Sequence, residues 1–89
     1  MDIQNRIKIL RTQKGISQND VAKAVGVDVS SVSYWESGRY EPKASYIYKL
    51  AIFFNVSADY LLGLEDESGR KTYTINNNFI NNYGTVNKF

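Results

Sequence analysis

The sequence predicts an all-α domain of five short helices followed by a short extended tail. Three observations carry that prediction. Up to Leu64 apolar residues recur at three- and four-residue spacing, small polar residues and glycine or asparagine stand where helices should start and stop, and beyond Leu64 the composition changes abruptly.

Ile3, Ile7 and Leu10 share one face of a first helix from Ile3 to about Lys14, and Gly15 supplies its stop. Ser17 with Asp20 three residues later reads as an N-cap with an acid in the first turn. It opens a second helix, from Gln18 to about Ala24, that turns Val21, Ala22 and Val25 inward. Gly26 permits the positive-φ geometry of a tight turn. Asp28 is placed to cap a third helix that runs to about Ser37, ends at Gly38 and buries Val32 and Trp35.

After Pro42 a fourth helix, about Ala44 to Phe54, carries Ile47, Leu50, Ala51 and Phe54 as an apolar stripe, although Lys43 is a poor cap. Asn55 can take the left-handed stop, and Ser57 can cap a short fifth helix holding Tyr60, Leu61 and Leu62 before Gly63. Residues 1–64 therefore form the helical domain, 65–71 a charged linker and 72–89 an asparagine-rich tail.

A chain of 89 residues holds one small domain and excludes a two-domain enzyme. Without cysteine or histidine, disulfides, thiolate metal sites and the commonest general base are excluded, so neither a metal nor a cofactor is expected. Ser30, Ser31 and Ser33 have no activating base, and no catalysis is expected. The start, MDIQNRIKILRTQ, is neither a signal peptide nor a membrane span; the protein is expected to be soluble and cytoplasmic, with no membrane partner. Net charge is +2, with eight Lys/Arg and six Asp/Glu in residues 1–64 and three of each in 65–89, so the tail is not a basic DNA-binding arm.

A helix-turn-helix needs a small residue in its first helix, a glycine at the turn and apolar residues that fix the angle of the second helix. Val21, Ala22, Gly26, Val32 and Trp35 meet those needs in order. With the G-I-S-Q opening, the W-E-S-G close and the ending LAIFFNVSADYLLG, residues 3–64 resemble the lambda-repressor-like family of Cro and repressor-type DNA-binding domains.

The resemblance implies a transcriptional regulator. By matching position it implies base contacts from Val29, Ser30 and Tyr34, with Ser31 a weaker candidate, and a phosphate contact from Gln18. Ser17, Ser33, Ser37, Arg39 and Lys43 are further phosphate candidates. It also implies a structural pair between Arg11 and Glu36, where an arginine fork suits a carboxylate. The third helix carries no Lys or Arg, which is compatible with DNA binding because phosphate contacts can lie outside it while its side chains reach base edges. Val29 suits a thymine methyl, and Ser30 and Tyr34 suit polar edges. Without an arginine for guanine or an amide for adenine, discrimination should rest more on dimerisation and DNA shape. Tyr34 has a second reading, as amphipathic cover of an exposed helix face.

The run Ile52, Phe53, Phe54 cannot all face one core, since successive side chains turn by about 100°. With Phe54 inward, Ile52 and Phe53 fall off the stripe, near Tyr48 and Tyr46, and read as an interface with the tail or a second subunit. In the tail, Tyr73, Ile75, Tyr83 and Val86 are available either for two short strands that pair between subunits or, on the other reading, sit in an unfolded polar segment. The leading expectation is a dimeric repressor of bacterial or phage type, binding double-stranded DNA at a palindromic operator with half-sites about 34 to 36 Å apart. The peptidase domain of self-cleaving phage repressors finds no room here, so induction is expected through another route, such as a protein antagonist. The alternative is a protein-interaction module such as an antitoxin or an antagonist of another regulator.

Overall fold

The computed structural model describes residues 3–72. Among them are five helices: α1 (Ile3–Lys14), α2 (Gln18–Val25), α3 (Val29–Ser37), α4 (Ala44–Phe54) and α5 (Ala58–Leu61). Several boundaries have a local cause. Ser17 Oγ accepts from the Asp20 N–H at 3.0 Å while Asp20 Oδ2 accepts from the Ser17 N–H at 2.9 Å, a reciprocal capping box that opens α2. The bond from the Ser17 backbone, then that from its side chain, holds the Asp20 carboxyl below the usual carboxylate range. Gly26 closes α2 at φ 80°, a left-handed conformation that costs glycine no steric penalty. Asn55 closes α4 at φ 58°, and Ser57 Oγ accepts from the Tyr60 N–H at 2.9 Å to open α5.

One cap differs from the sequence expectation. Asp28 occupies the N-cap position of α3 in extended conformation, but its carboxylate makes no capping bond. Only its carbonyl engages the helix, accepting from the Ser31 N–H at 2.9 Å. The first-turn N–H groups of α3 are thus left without a side-chain acceptor.

The core is one cluster drawn from all five helices: Ile3 and Ile7 from α1, Val21, Ala22 and Val25 from α2, Val32 and Trp35 from α3, Leu50 and Phe54 from α4, and Leu61 from α5. Fully burying one aliphatic side chain contributes about 1.5–3 kcal/mol, so this cluster is the main stabilising term in so small a domain. Within it α3 packs on α1 and α2, α4 on α2 and α5, and α5 on α1. The Trp35 and Tyr46 rings, 5.6 Å apart, join α3 to α4. No helix among the described residues is long and apolar enough to cross a membrane.

Ile52 is 62% exposed, beside Tyr48 in an apolar groove of about 650 Å³. Phe53 does not share that exposure. It is half-buried against the core cluster, with its ring 5.0 Å from that of Phe54 and the Lys14 ammonium 5.6 Å from its centroid. Tyr46, placed beside Phe53 by the helical pattern, turns to Trp35 instead.

The charged stretch after Leu64 is folded back on the helices. Asp66 Oδ1 accepts from the Ser68 N–H, the Ser68 hydroxyl and the Arg70 N–H at 2.9, 2.6 and 2.9 Å, closing a turn beside a single antiparallel bridge between Glu65 and Lys71. Arg6 Nη1 donates to the carbonyls of Tyr60 and Glu65 at 3.1 Å each, with its guanidinium 4.1 Å from the Tyr60 ring centroid. Lys71 Nζ reaches Asp59 at 2.7 Å, and the Thr72 hydroxyl donates to the Gly63 carbonyl at 2.6 Å. Tyr73, Ile75, Tyr83 and Val86 lie outside the described residues.

Candidate nucleic-acid interface

The turn at Gly26 sets α3 across α2, and three groups fix its roll. Val32 and Trp35 are buried on one side, and Glu36 joins them through its carboxylate. Glu36 Oε2 accepts from Arg11 Nε at 2.7 Å and Oε1 from Arg11 Nη2 at 3.0 Å, a two-pronged match between a planar fork and a carboxylate. Gln18 Nε2 adds a third bond to Oε1 at 3.0 Å, and Arg11 Nη1 donates to the Ile16 carbonyl at 3.1 Å. One carboxylate therefore ties α1, α2 and α3 together, and its side chain is only 5% exposed.

With that side held inward, the helical turn of about 100° per residue places Ser30, Ser33, Tyr34 and Ser37 on the opposite side. Ser30 is exposed, Ser33 and Tyr34 are half-buried, and Val29 is 44% exposed at the first turn. Ser31 falls elsewhere. It is half-buried on the flank of α3 and lines a groove with Gly26, Val27, Asp28 and Tyr46.

Several of the phosphate candidates already have partners. Ser17 uses its hydroxyl oxygen in the capping box, and its side chain also engages the Asp20 carboxyl, so a phosphate contact through that hydroxyl competes with the cap. Gln18 donates to Glu36 and retains a second amide proton. The Ser37 hydroxyl donates to the Tyr34 carbonyl at 3.1 Å, so a phosphate contact through that proton requires the internal bond to be exchanged. Lys43, at the N-cap of α4, is exposed.

Arg39 is exposed but shaped by its neighbours. Gly38 turns the chain at φ 80°, and the N–H groups of Arg39 and Tyr40 then return to the Tyr34 carbonyl at 2.9 and 3.4 Å. The turn brings the Tyr34 and Tyr40 rings edge to face, centroids 5.2 Å apart, with the Arg39 guanidinium 4.9 Å from the Tyr34 centroid and 5.8 Å from that of Tyr40. The sequence leaves Tyr40, in the loop after the helix, open between touching a phosphate and packing on the linker. The signal was present in the glycine stop, which places a ring two residues later over the last turn of the helix.

A family profile described as helix-turn-helix matches residues 7–61. An uncharacterised helix-turn-helix-type transcriptional regulator from Archaeoglobus fulgidus is 34% identical over 65 residues, 73% of this chain and 93% of that protein. The structure is similar to that of the P22 c2 repressor in complex with a synthetic operator, at TM-score 0.64 and 32% identity over 66% of this chain and 89% of that one. It is also similar to the N-terminal DNA-binding domain of SinR from Bacillus subtilis, at TM-score 0.66 and 30% identity over 74% of this chain and 94% of that one. SinR in its complex with SinI gives TM-score 0.64 and 26% identity over 97% of this chain and 80% of that one.

Proposed function

This chain belongs to the helix-turn-helix family, and we infer that it is a DNA-binding transcriptional regulator, not an enzyme, whose third helix enters the major groove of double-stranded DNA. The observation that carries the reading is the fixing of α3 on one side only. Val32, Trp35 and Glu36 hold one side to the body, leaving Ser30 and Tyr34 on the other with Val29 at the leading turn. Val29, Ser30 and Tyr34 are the base readers, with Ser31 on the flank a weaker member of the set.

Ser17, Gln18, Arg39 and Lys43 are the phosphate contacts, with Ser33 and Ser37 at the edge of the same surface. In this scheme the positive charge lies beside the recognition helix and the sequence-reading groups lie on it. The protein acts as a repressor in the cytoplasm, as a homodimer whose two recognition helices meet half-sites about one turn apart on a palindromic operator and exclude polymerase. Residues 1–64 carry the DNA contacts, 65–71 join them to the tail, and the subunits meet through Ile52, Phe53 and the tail residues Tyr73, Ile75, Tyr83 and Val86. Of the two that lie among the described residues, Ile52 is exposed and Phe53 half-buried.

A second reading is favoured by one observation, the likeness to SinR in its complex with SinI. On that reading a protein antagonist binds this chain and releases it from DNA, or the chain itself serves as an antitoxin-like partner. Selection of duplexes from a random library by the full-length protein, at stated salt, tests the first reading. A two-fold symmetric site with half-sites one turn apart supports it; no enrichment from folded protein transfers the weight to partner binding.

A further inference from the structure

We propose that Tyr40, which lies outside the recognition helix, is a positioning residue that sets base preference by holding the Tyr34 ring; this rests on α3 being the DNA-reading helix. A tyrosine on an exposed helix side ordinarily samples several rotamers, and a reader that must be immobilised on binding loses affinity and discrimination together. Here Tyr34 is already confined. The Tyr40 ring meets it edge to face at 5.2 Å and the Arg39 guanidinium lies 4.9 Å from its centroid, so the ring is braced by a second ring and a cation.

The brace is built by the backbone, which gives it a fixed geometry. Gly38 adopts φ 80°, and the N–H groups of Arg39 and Tyr40 both return to the carbonyl of Tyr34 itself. The residues that hold the ring are thus anchored to the residue that carries it. Tyr40 is 57% exposed, and its ring meets the Tyr34 ring and the Arg39 guanidinium. Its removal should therefore loosen Tyr34 without unfolding the domain.

Arg39 has a double part in the same unit. Its guanidinium is stacked on Tyr34 and also carries N–H groups for a phosphate, coupling backbone contact to the orientation of the reading ring. The division of labour between phosphate and base contacts is therefore incomplete at this corner of the interface. Tyr40 can be separated from the charge, because it contributes a ring and no cation.

The test compares the parent chain, Tyr40→Ala and Tyr40→Phe in two measurements. The first, on free protein, follows the Tyr34 ring resonances by NMR. The second measures binding to the selected duplex and to every single-base variant of it, at two salt concentrations. The expected result is that Tyr40→Ala shifts the Tyr34 ring resonances and lowers discrimination about two- to tenfold at one symmetry-related pair of base positions. The salt slope is unchanged, and Tyr40→Phe restores both readouts. Unmoved Tyr34 resonances, or an equal loss at all positions, overturns the assignment while leaving the DNA-binding reading intact. Failure of the parent chain to select any duplex defeats that reading instead, and the two failures are distinguished by the parent chain alone.

Discussion

Arg11 on α1 and Glu36 on α3 are joined by two parallel hydrogen bonds, of 2.7 and 3.0 Å, although 25 residues separate them in the chain. The carboxylate is almost fully enclosed, and its desolvation is offset by three donors, the third from Gln18. Removing the fork leaves an enclosed carboxylate with one neutral donor. Arg11→Ala is expected to cost about 3 kcal/mol in urea denaturation, and Arg11→Lys, which keeps the charge but loses the planar fork, less. A loss under about 1 kcal/mol for Arg11→Ala would put the pair with screened surface bridges, against the geometry.

The capping box of α2 makes stability depend on acid. The carboxyl of Asp20 has a folded-state pKa below its unfolded value, so its contribution is fully present above the unfolded pKa and is lost as pH falls through the folded one. The sensitive window therefore lies below about pH 4. Parent and Asp20→Asn chains should differ in urea midpoint at neutral pH and converge through that window. Curves that stay parallel down to pH 2 would assign the acid transition to another carboxylate.

The proposed division of labour between base and phosphate contacts has separable signatures. Ser30→Ala should change preference at particular operator positions, whereas Lys43→Ala should weaken binding to every sequence and reduce the log–log salt slope by about one. Lys43 is the cleaner charge for this purpose, because Arg39 is stacked on Tyr34 and its loss disturbs both functions. Titration of both variants against matched and mismatched duplexes at several salt concentrations decides the matter; uniform losses from both variants would remove the distinction.

The helices were legible because their boundaries are local. Ser17 with Asp20, Gly26, Asn55 and Ser57 each act within four residues, which is the range a sequence pattern can express. What patterning missed depends on distant chain. The role of Arg6 rests on carbonyls 54 and 59 residues away, and nothing near Arg6 announces them. Phe53 shows the limit of the helical wheel, which places it off the stripe of α4 but cannot register that α1 brings Lys14 to its ring. On α3 the pattern separates the Val32 and Trp35 side from the Ser30 side, but it cannot show that Ser31 shares a groove with Tyr46, since that depends on where α4 lies.

Arg6 bears directly on how the tail should be dissected. Cutting the chain after Leu64 removes Glu65, whose carbonyl is one of the two Arg6 acceptors, together with Lys71, whose ammonium is held by Asp59 and Glu65. Cutting after Thr72 keeps the whole closed turn. A chain ending at Leu64 should therefore be less stable than one ending at Thr72 by about 1 kcal/mol, a difference that belongs to the turn and not to subunit contact. Both truncations should show a lower mass by light scattering than the full chain if residues beyond Thr72 join subunits. Ile52→Glu in the full chain separates the helical contribution: charge on that exposed apolar side of α4 should lower the mass while leaving the helical circular dichroism unchanged. An unaltered mass in Ile52→Glu, beside a lowered one in the Thr72 truncation, would place the contact wholly in the tail.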